Sequence, residues 1–260
     1  MSGSGLASMA GLGVAGLGGA ARRGAAAHVF VDSVDAPVLD EVDRHHLDRV
    51  LRLRPGQSVS VSDGAGSWRL CAYTGAGRVD PVADVAFEPR VEPAITVGFA
   101  LTKGDKPEWA VQKLTEVGVD VVAPLLSARS VVRWEPDKAA RNSERLGRVA
   151  REAAMQSRRV WLPEVRPVVP FAEAVAGAGA VAGGVAAAPP ALAEPGGGAL
   201  SLDHPTVFVG PEGGWSGEEL DLGLANVSVG STILRAETAT LAVGIVLTAV
   251  RGGFVGIHDE

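Results

Sequence analysis

Val207-Phe208-Val209-Gly210-Pro211-Glu212-Gly213-Gly214-Trp215-Ser216-Gly217-Glu218-Glu219-Leu220 constrains the fold more than any other stretch of the chain. It reads as a short apolar strand, a glycine-rich turn and a helix start. Three glycines and a proline within five residues give a backbone that reaches positive φ and admits a ligand without Cβ atoms in the way. Ser216 followed by Glu219 predicts a capping box, and Trp215 with Leu220 has the spacing of a hydrophobic staple. A second unit follows directly. Val227-Ser228-Val229 alternates as a strand, a loop runs to Thr238, and Ala239 to Val250 is an apolar helix closed by Gly252 and Gly253. Strand, ligand-sized loop and helix, twice in succession, is how an open α/β sheet builds a pocket at the carboxyl ends of its strands. Two ordinary tight turns are the alternative. A phosphate-binding P-loop is disfavoured, because no Gly-Lys-Ser/Thr follows the glycines and the loop carries Glu212.

The preceding chain fits the same class. Ile95 to Leu101 reads as a strand, Asp105 as the cap of a helix with Glu108 three residues on, Gly118 as its end, and Val119 to Leu126 as the next strand. Such a βαβ unit predicts a parallel sheet covered by helices. Between Arg129 and Arg159, nine basic side chains face four acidic ones, a local +5 in a chain of net charge −6. On a helix, Arg141, Arg145, Arg148 and Arg151 share one side, and Leu146, Val149, Ala150 and Ala153 another. A displayed arginine stripe suits RNA, since the planar guanidinium binds phosphate bidentately and stacks on unpaired bases; a solvated helix face is the alternative.

Residues 28–90 have β character, with strands at Val29 to Asp32, Ser58 to Ser62, Trp68 to Tyr73 and Val79 to Phe87. A small barrel or sandwich is expected there. Within it, Asp43 to Leu53 places Arg44, His45, His46, Arg49 and Arg52 together with the following Arg54, which is either a solvated helix or a phosphate-contacting surface. Residues 91–260 form the second expected domain, in which 172–205, rich in Ala, Gly and Pro, reads as a loop-like insertion. Residues 1–27 read as a disordered Gly/Ala/Ser tail; Arg22 and Arg23 follow its weak apolar part, the reverse of a signal peptide.

Composition sets outer bounds. A chain of 260 residues, 47% hydrophobic, buries a substantial core. A single cysteine, Cys71, rules out an intramolecular disulfide framework, and with five scattered histidines it argues against a metal site. A reducing cytoplasm fits, and no apolar run reaches the ~20 residues of a membrane span.

Val209-Gly210-Pro211-Glu212-Gly213-Gly214, followed by Leu234-Arg235-Ala236-Glu237-Thr238-Ala239, resembles the signature pair of the ribosomal RNA small subunit methyltransferase E family, within the SPOUT superfamily. Leu101-Thr102-Lys103-Gly104-Asp105-Lys106, Gln112 to Val119 and Ala150 to Arg159 match the same family, so the resemblance runs from about His28 onward.

The resemblance implies methylation of N3 of a uridine in the 16S RNA of the small ribosomal subunit, with S-adenosylmethionine as cofactor. It implies a PUA-like RNA-binding β-barrel ahead of an α/β SPOUT domain with a C-terminal trefoil knot, a homodimer, and no metal. Cofactor contacts are expected from Gly210, Pro211, Glu212, Gly213, Gly214, Val229, Gly230, Ile233, Leu234, Thr238 and Ala239. Arg235 is the expected oxyanion stabiliser. Glu237 or Glu212 is the expected base, each with an alternative role as a cap or as a salt-bridge partner of Arg235. RNA contacts are expected from Arg49, Arg52, Lys103, Arg145, Arg148, Arg151, Arg158 and Arg159. Relatives carry a strand ending in Leu-His-Glu beside the pocket, and its nearest counterpart, Ala180 to Ala188, has neither the histidine nor the glutamate. The alternatives are a non-catalytic RNA-binding protein of this fold, or a methyltransferase acting on another RNA position.

Overall fold

A computed structural model describes residues 19–132, 134, 136–178 and 188–255. They divide into two compact units, one reaching Pro89 and including Met155–Trp161, the other Arg90–Ala154 together with the chain from Leu162 onward.

In the first unit β1 (Ala27–Phe30), β2 (Ser58–Ser62), β3 (Ser67–Gly75) and β4 (Arg78–Pro81) lie in that order, with β5 (Ala86–Phe87) also on β3. The β1–β2 pair is parallel and the others are antiparallel. Val29, Val59, Val61, Cys71 and Tyr73 alternate into one core, which explains the period-two pattern. A short helix, α1 (Glu41–His45), capped by the Asp40 carboxylate on Asp43 N–H, widens into a π turn over His46–Val50.

Residues 19–27, expected to belong to a disordered tail, are structured. Residues 19–23 are helical, and Arg22 is buried, paired with Glu88 at 2.7 Å and stacked over the Trp68 ring at 5.5 Å. Residues 1–18 lie outside the described residues.

The segment Met155–Trp161 belongs to this unit through side chains that reach its backbone. Ser62 Oγ donates to the Val160 carbonyl at 2.9 Å, and Trp161 Nε1 donates to Glu88 O at 2.8 Å. Buried His28 lies with Nδ1 2.8 Å from Ser60 Oγ and Nε2 2.8 Å from Arg159 O; because a carbonyl only accepts, Nε2 carries the proton.

The second unit is a parallel sheet in the order β12-β10-β11-β6-β7-β8, with β9 also on β7. Its strands are β6 (Thr96–Ala100), β7 (Val121–Leu126), β8 (Glu164–Val165), β9 (Val169–Pro170), β10 (Ala191–Ala199), β11 (Thr206–Val209) and β12 (Ala225–Ser228). Its helices are α2 (Lys106–Glu116), α3 (Pro136–Gln156, whose last two residues belong to the first unit), α4 (Phe171–Ala178), α5 (Gly217–Leu220) and α6 (Ala236–Arg251). β6 and β7 are buried at almost every position, as strands covered on both faces must be. Val97, Phe99, Leu114, Val122, Leu146, Val207, Val243 and Leu247 form the main core.

Three local expectations are corrected. Asp105 stands at the α2 N-cap position with φ −91° and ψ 1° and makes no side-chain cap, so the helix starts without one. Leu220 is 40% exposed, and Trp215 instead packs on Phe171 with ring centroids 4.6 Å apart. The stretch read as a loop-like insertion contributes most of α4 and all of β10, an inner strand between β11 and β12. Its Ala, Gly and Pro content hid a strand whose side chains Ala191 and Leu192 are fully buried.

Candidate active site

The carboxyl ends of β10, β11 and β12 open into a cavity of about 390 Å³. Gly210, Pro211, Glu212 and Gly214 wall it from the turn after β11, and Val229, Thr232, Ile233, Leu234 and Arg235 from the loop after β12. Ala236 and Ala239 of α6 close a third side, and Ala193, Glu194 and Pro195 of β10 a fourth. Of the residues expected here, Gly213 and Thr238 do not line this space, and Gly230 lines a neighbouring cavity of about 360 Å³ under the Gly196-Gly197-Gly198 stretch.

Most of Ala180 to Ala188 falls outside the described residues. Leu192-Ala193-Glu194 of β10 stands beside the pocket, a Leu-x-Glu triplet without a histidine. Burial pushes the Glu194 carboxyl above its ordinary range. Sequence reasoning missed it because nine alanine- and glycine-rich residues carry no strand periodicity; the Leu-x-Glu triplet was the available signal.

The turn after β11 is held rigidly. Gly214 takes φ +68° and its N–H donates to Pro211 O at 2.8 Å, a conformation that favours glycine. Arg129 Nη1 donates to Gly213 O at 2.9 Å. The capping box at α5 is formed, and its Glu219 is buried and extends the network beyond the cap. Its carboxylate accepts from Ser216 N–H at 2.8 Å, Ala128 N–H at 2.8 Å and Ser127 Oγ at 3.1 Å. Burial opposes its ionisation, but these hydrogen bonds prevail and hold the carboxyl below its usual range.

Of the two residues expected to carry chemistry, Arg235 lines the cavity at the N-cap position of α6. Glu237, in the first turn of that helix, lies 3.2 Å from Lys106 Nζ, which also lies 3.1 Å from Glu212. The partner of both glutamates is therefore Lys106 of α2, in place of the Arg235 pairing expected from sequence. The Glu237 carboxyl is held below its usual range, first by a backbone N–H at its own helix start and then, against some burial, by Lys106 and Arg235. The hydrogen bonds that the Lys106 ammonium donates to Glu212 and Glu237 raise its pKa above its ordinary value.

The expected RNA contacts divide. Arg49 and Arg52 are exposed on the first unit. On the second, Lys103, Arg145 and Arg148 are exposed and Arg151 is half-buried, while Leu146, Ala150 and Ala153 turn inward from α3. Arg145 also pairs with Glu108 at 3.2 Å. Arg158 is corrected to a structural role: its guanidinium donates to the carbonyls of Met155, Ala25 and Ala26, and burial lowers its pKa. Arg159 is half-buried.

The family described as RNA methyltransferase domain matches residues 90–248, and the RNA methyltransferase PUA domain matches 39–79. A ribosomal RNA small subunit methyltransferase E from Mycobacterium bovis is 33% identical over 230 residues, covering 83% of this chain and 87% of the relative. Among solved structures, a putative methyltransferase of Legionella pneumophila in complex with the cofactor SAM is 25% identical with a TM-score of 0.70, covering 86% of this chain and 97% of that one. A ribosomal RNA small subunit methyltransferase E of Neisseria gonorrhoeae bound to S-adenosyl methionine is 28% identical with a TM-score of 0.65, covering 86% and 97%. The paired loops at the strand ends, the PUA match ahead of them and this similarity over more than four-fifths of the chain agree, and the chain belongs to the ribosomal RNA small subunit methyltransferase E family, with an α/β fold of the SPOUT type.

Proposed function

We propose that this protein transfers a methyl group from S-adenosylmethionine to N3 of a uridine in the 16S RNA of the small ribosomal subunit. The observation that carries the reading is the cavity itself, walled by both signature loops after the parallel strands β11 and β12, with β10 between them. Its volume of about 390 Å³ falls in the range of small-molecule sites.

The wall chemistry fits the cofactor. Backbone of the 210–214 and 229–235 loops presents N–H and C=O groups to adenine and ribose, and the Glu194 and Glu212 carboxylates suit a ligand carrying sulfonium and ammonium charge. A Cβ built at Gly214 meets no atom within 4 Å, so a side chain there would occupy space left for a ligand. When bound, the cofactor supplies an electrophilic methyl group.

The chain has to position the uracil, accommodate loss of the N3 proton and stabilise the charge that spreads onto the flanking carbonyl oxygens. Arg235, fixed at a helix N-cap on the cavity wall, is suited to hold that charge. Glu237 is poorly suited to be the base, because its carboxylate is engaged by Lys106 and its pKa is held below the usual range. The exposed Arg145 and Arg148 of α3, and Arg49 and Arg52 of the PUA unit, supply phosphate contacts.

The active species in this reading is a cytoplasmic homodimer with a C-terminal trefoil knot. α6 supports the dimer: it buries Val243, Gly244 and Leu247 yet leaves Ile245 45% exposed, and Ile233 on the cavity loop is 86% exposed. The insertion of β10 between β11 and β12 supports the knot. Mass spectrometry of small-subunit RNA nucleosides from cells with and without the protein tests the activity, with loss of N3-methyluridine expected on deletion. Unchanged N3-methyluridine would refute it, and sedimentation at the mass of one chain would refute the dimer.

A further inference from the structure

We propose that Lys106 is the positioning residue of the cofactor cavity, a side-chain clamp that sets the distance between the two loops forming its walls. The inference rests on the reading of that cavity as the cofactor site. Glu212 belongs to the turn after β11 and Glu237 to the first turn of α6, immediately after the loop that follows β12. The strands feeding these loops are not neighbours, because β10 lies between β11 and β12. Strand ends two positions apart are separated by roughly 10 Å, and no sheet ladder joins them.

A single ammonium spans that gap. Lys106 Nζ stands 3.1 Å from Glu212 and 3.2 Å from Glu237, and the lysine itself is not part of the cavity lining. It comes from the start of α2, after β6, so the cavity shape is referenced to the central sheet. The participating side chains are 37%, 47% and 20% exposed, so the clamp contributes little to global stability and acts on local geometry. Without the lysine, two carboxylates face each other across the gap and repel, and the loops separate.

Three measurements on the full-length protein test the clamp. In ligand-free protein, K106M is expected to speed amide hydrogen exchange at 210–214 and 236–239 with the melting temperature little changed. By calorimetry, K106M weakens S-adenosylmethionine binding about tenfold, and KM for the cofactor rises more than kcat falls. K106R retains most of the affinity, and K106M/E237Q, which removes the carboxylate outside the cavity lining, recovers part of it because the repulsion is gone. Wild-type exchange and cofactor affinity in K106M would overturn the proposal. Failure of the wild-type protein to bind the cofactor would instead overturn the functional reading, while the exchange measurement still decides the clamp.

Discussion

Arg251, in the last turn of α6, donates to the carboxylate of Asp120, the residue before β7, and both side chains are largely buried. The same guanidinium reaches Gly118 O at 2.9 Å and Pro93 O at 3.2 Å, and the same carboxylate accepts Ile95 N–H at 2.9 Å. This pair closes the far end of the helix whose first turn borders the cavity. Removing the guanidinium takes the ion-pair partner from a buried carboxylate and the donor from two carbonyls, so R251M is expected to lower unfolding stability by about 3 kcal/mol. D120N/R251M should lose less than the sum of the single variants, as urea denaturation of each would reveal.

Glu219 provides a pH-dependent prediction. Its folded pKa lies below its unfolded value, so its contribution is complete above the unfolded pKa and is lost as pH falls through the folded one. E219Q is expected to cost about 2 kcal/mol at neutral pH, the scale of hydrogen bonds to a charged group. The gap from wild type should narrow as the solution is acidified below about pH 4. A gap that stays constant down to the acid transition would contradict this account of the network.

Burial pushes the Cys71 thiol up to about 11, against the pull of nearby Arg69 and with a small upward push from Asp80. A thiol that remains protonated and enclosed is a poor nucleophile. Native protein at pH 8 is therefore expected to resist aromatic disulfide reagents, and one thiol per chain should titrate once denaturant is added. Rapid modification of folded protein would show that the PUA-unit core opens.

Charge reversal at Arg145 and Arg148 removes two exposed cations without entering the core. R145E/R148E is expected to weaken RNA binding and reduce its salt dependence, while cofactor affinity stays at the wild-type value. Filter binding across a salt series, beside calorimetry with the cofactor, separates the outcomes. Equal loss of both affinities would assign α3 a structural role.

Gly98 in β6 faces the Phe208 ring, and a Cβ built there would lie 2.3 Å from Phe208 Cδ1. The ring is 1% exposed, with little room to retreat. G98A is thus expected to destabilise the second unit by about 2 kcal/mol through overpacking, measurable as a lower melting temperature.

What the sequence determined by itself lies within single stretches of chain. The capping box of Ser216 and Glu219, the turn at Gly214, the inward Leu146, Ala150 and Ala153 beneath outward Arg145 and Arg148, and the alternation around Val59 each depend on residues a few positions apart. Helix and strand periods convert such spacing directly into a face or a cap. The tertiary structure decided which distant groups meet. Lys106 meets Glu212 and Glu237, Glu219 reaches Ala128, Glu194 enters the cavity wall from a strand without periodicity, and Arg158 turns its guanidinium to the backbone of Ala25 and Ala26. A charged side chain carries no mark of its partner in its local spacing. Its role follows from the strand order and from burial, which are properties of the packed chain as a whole.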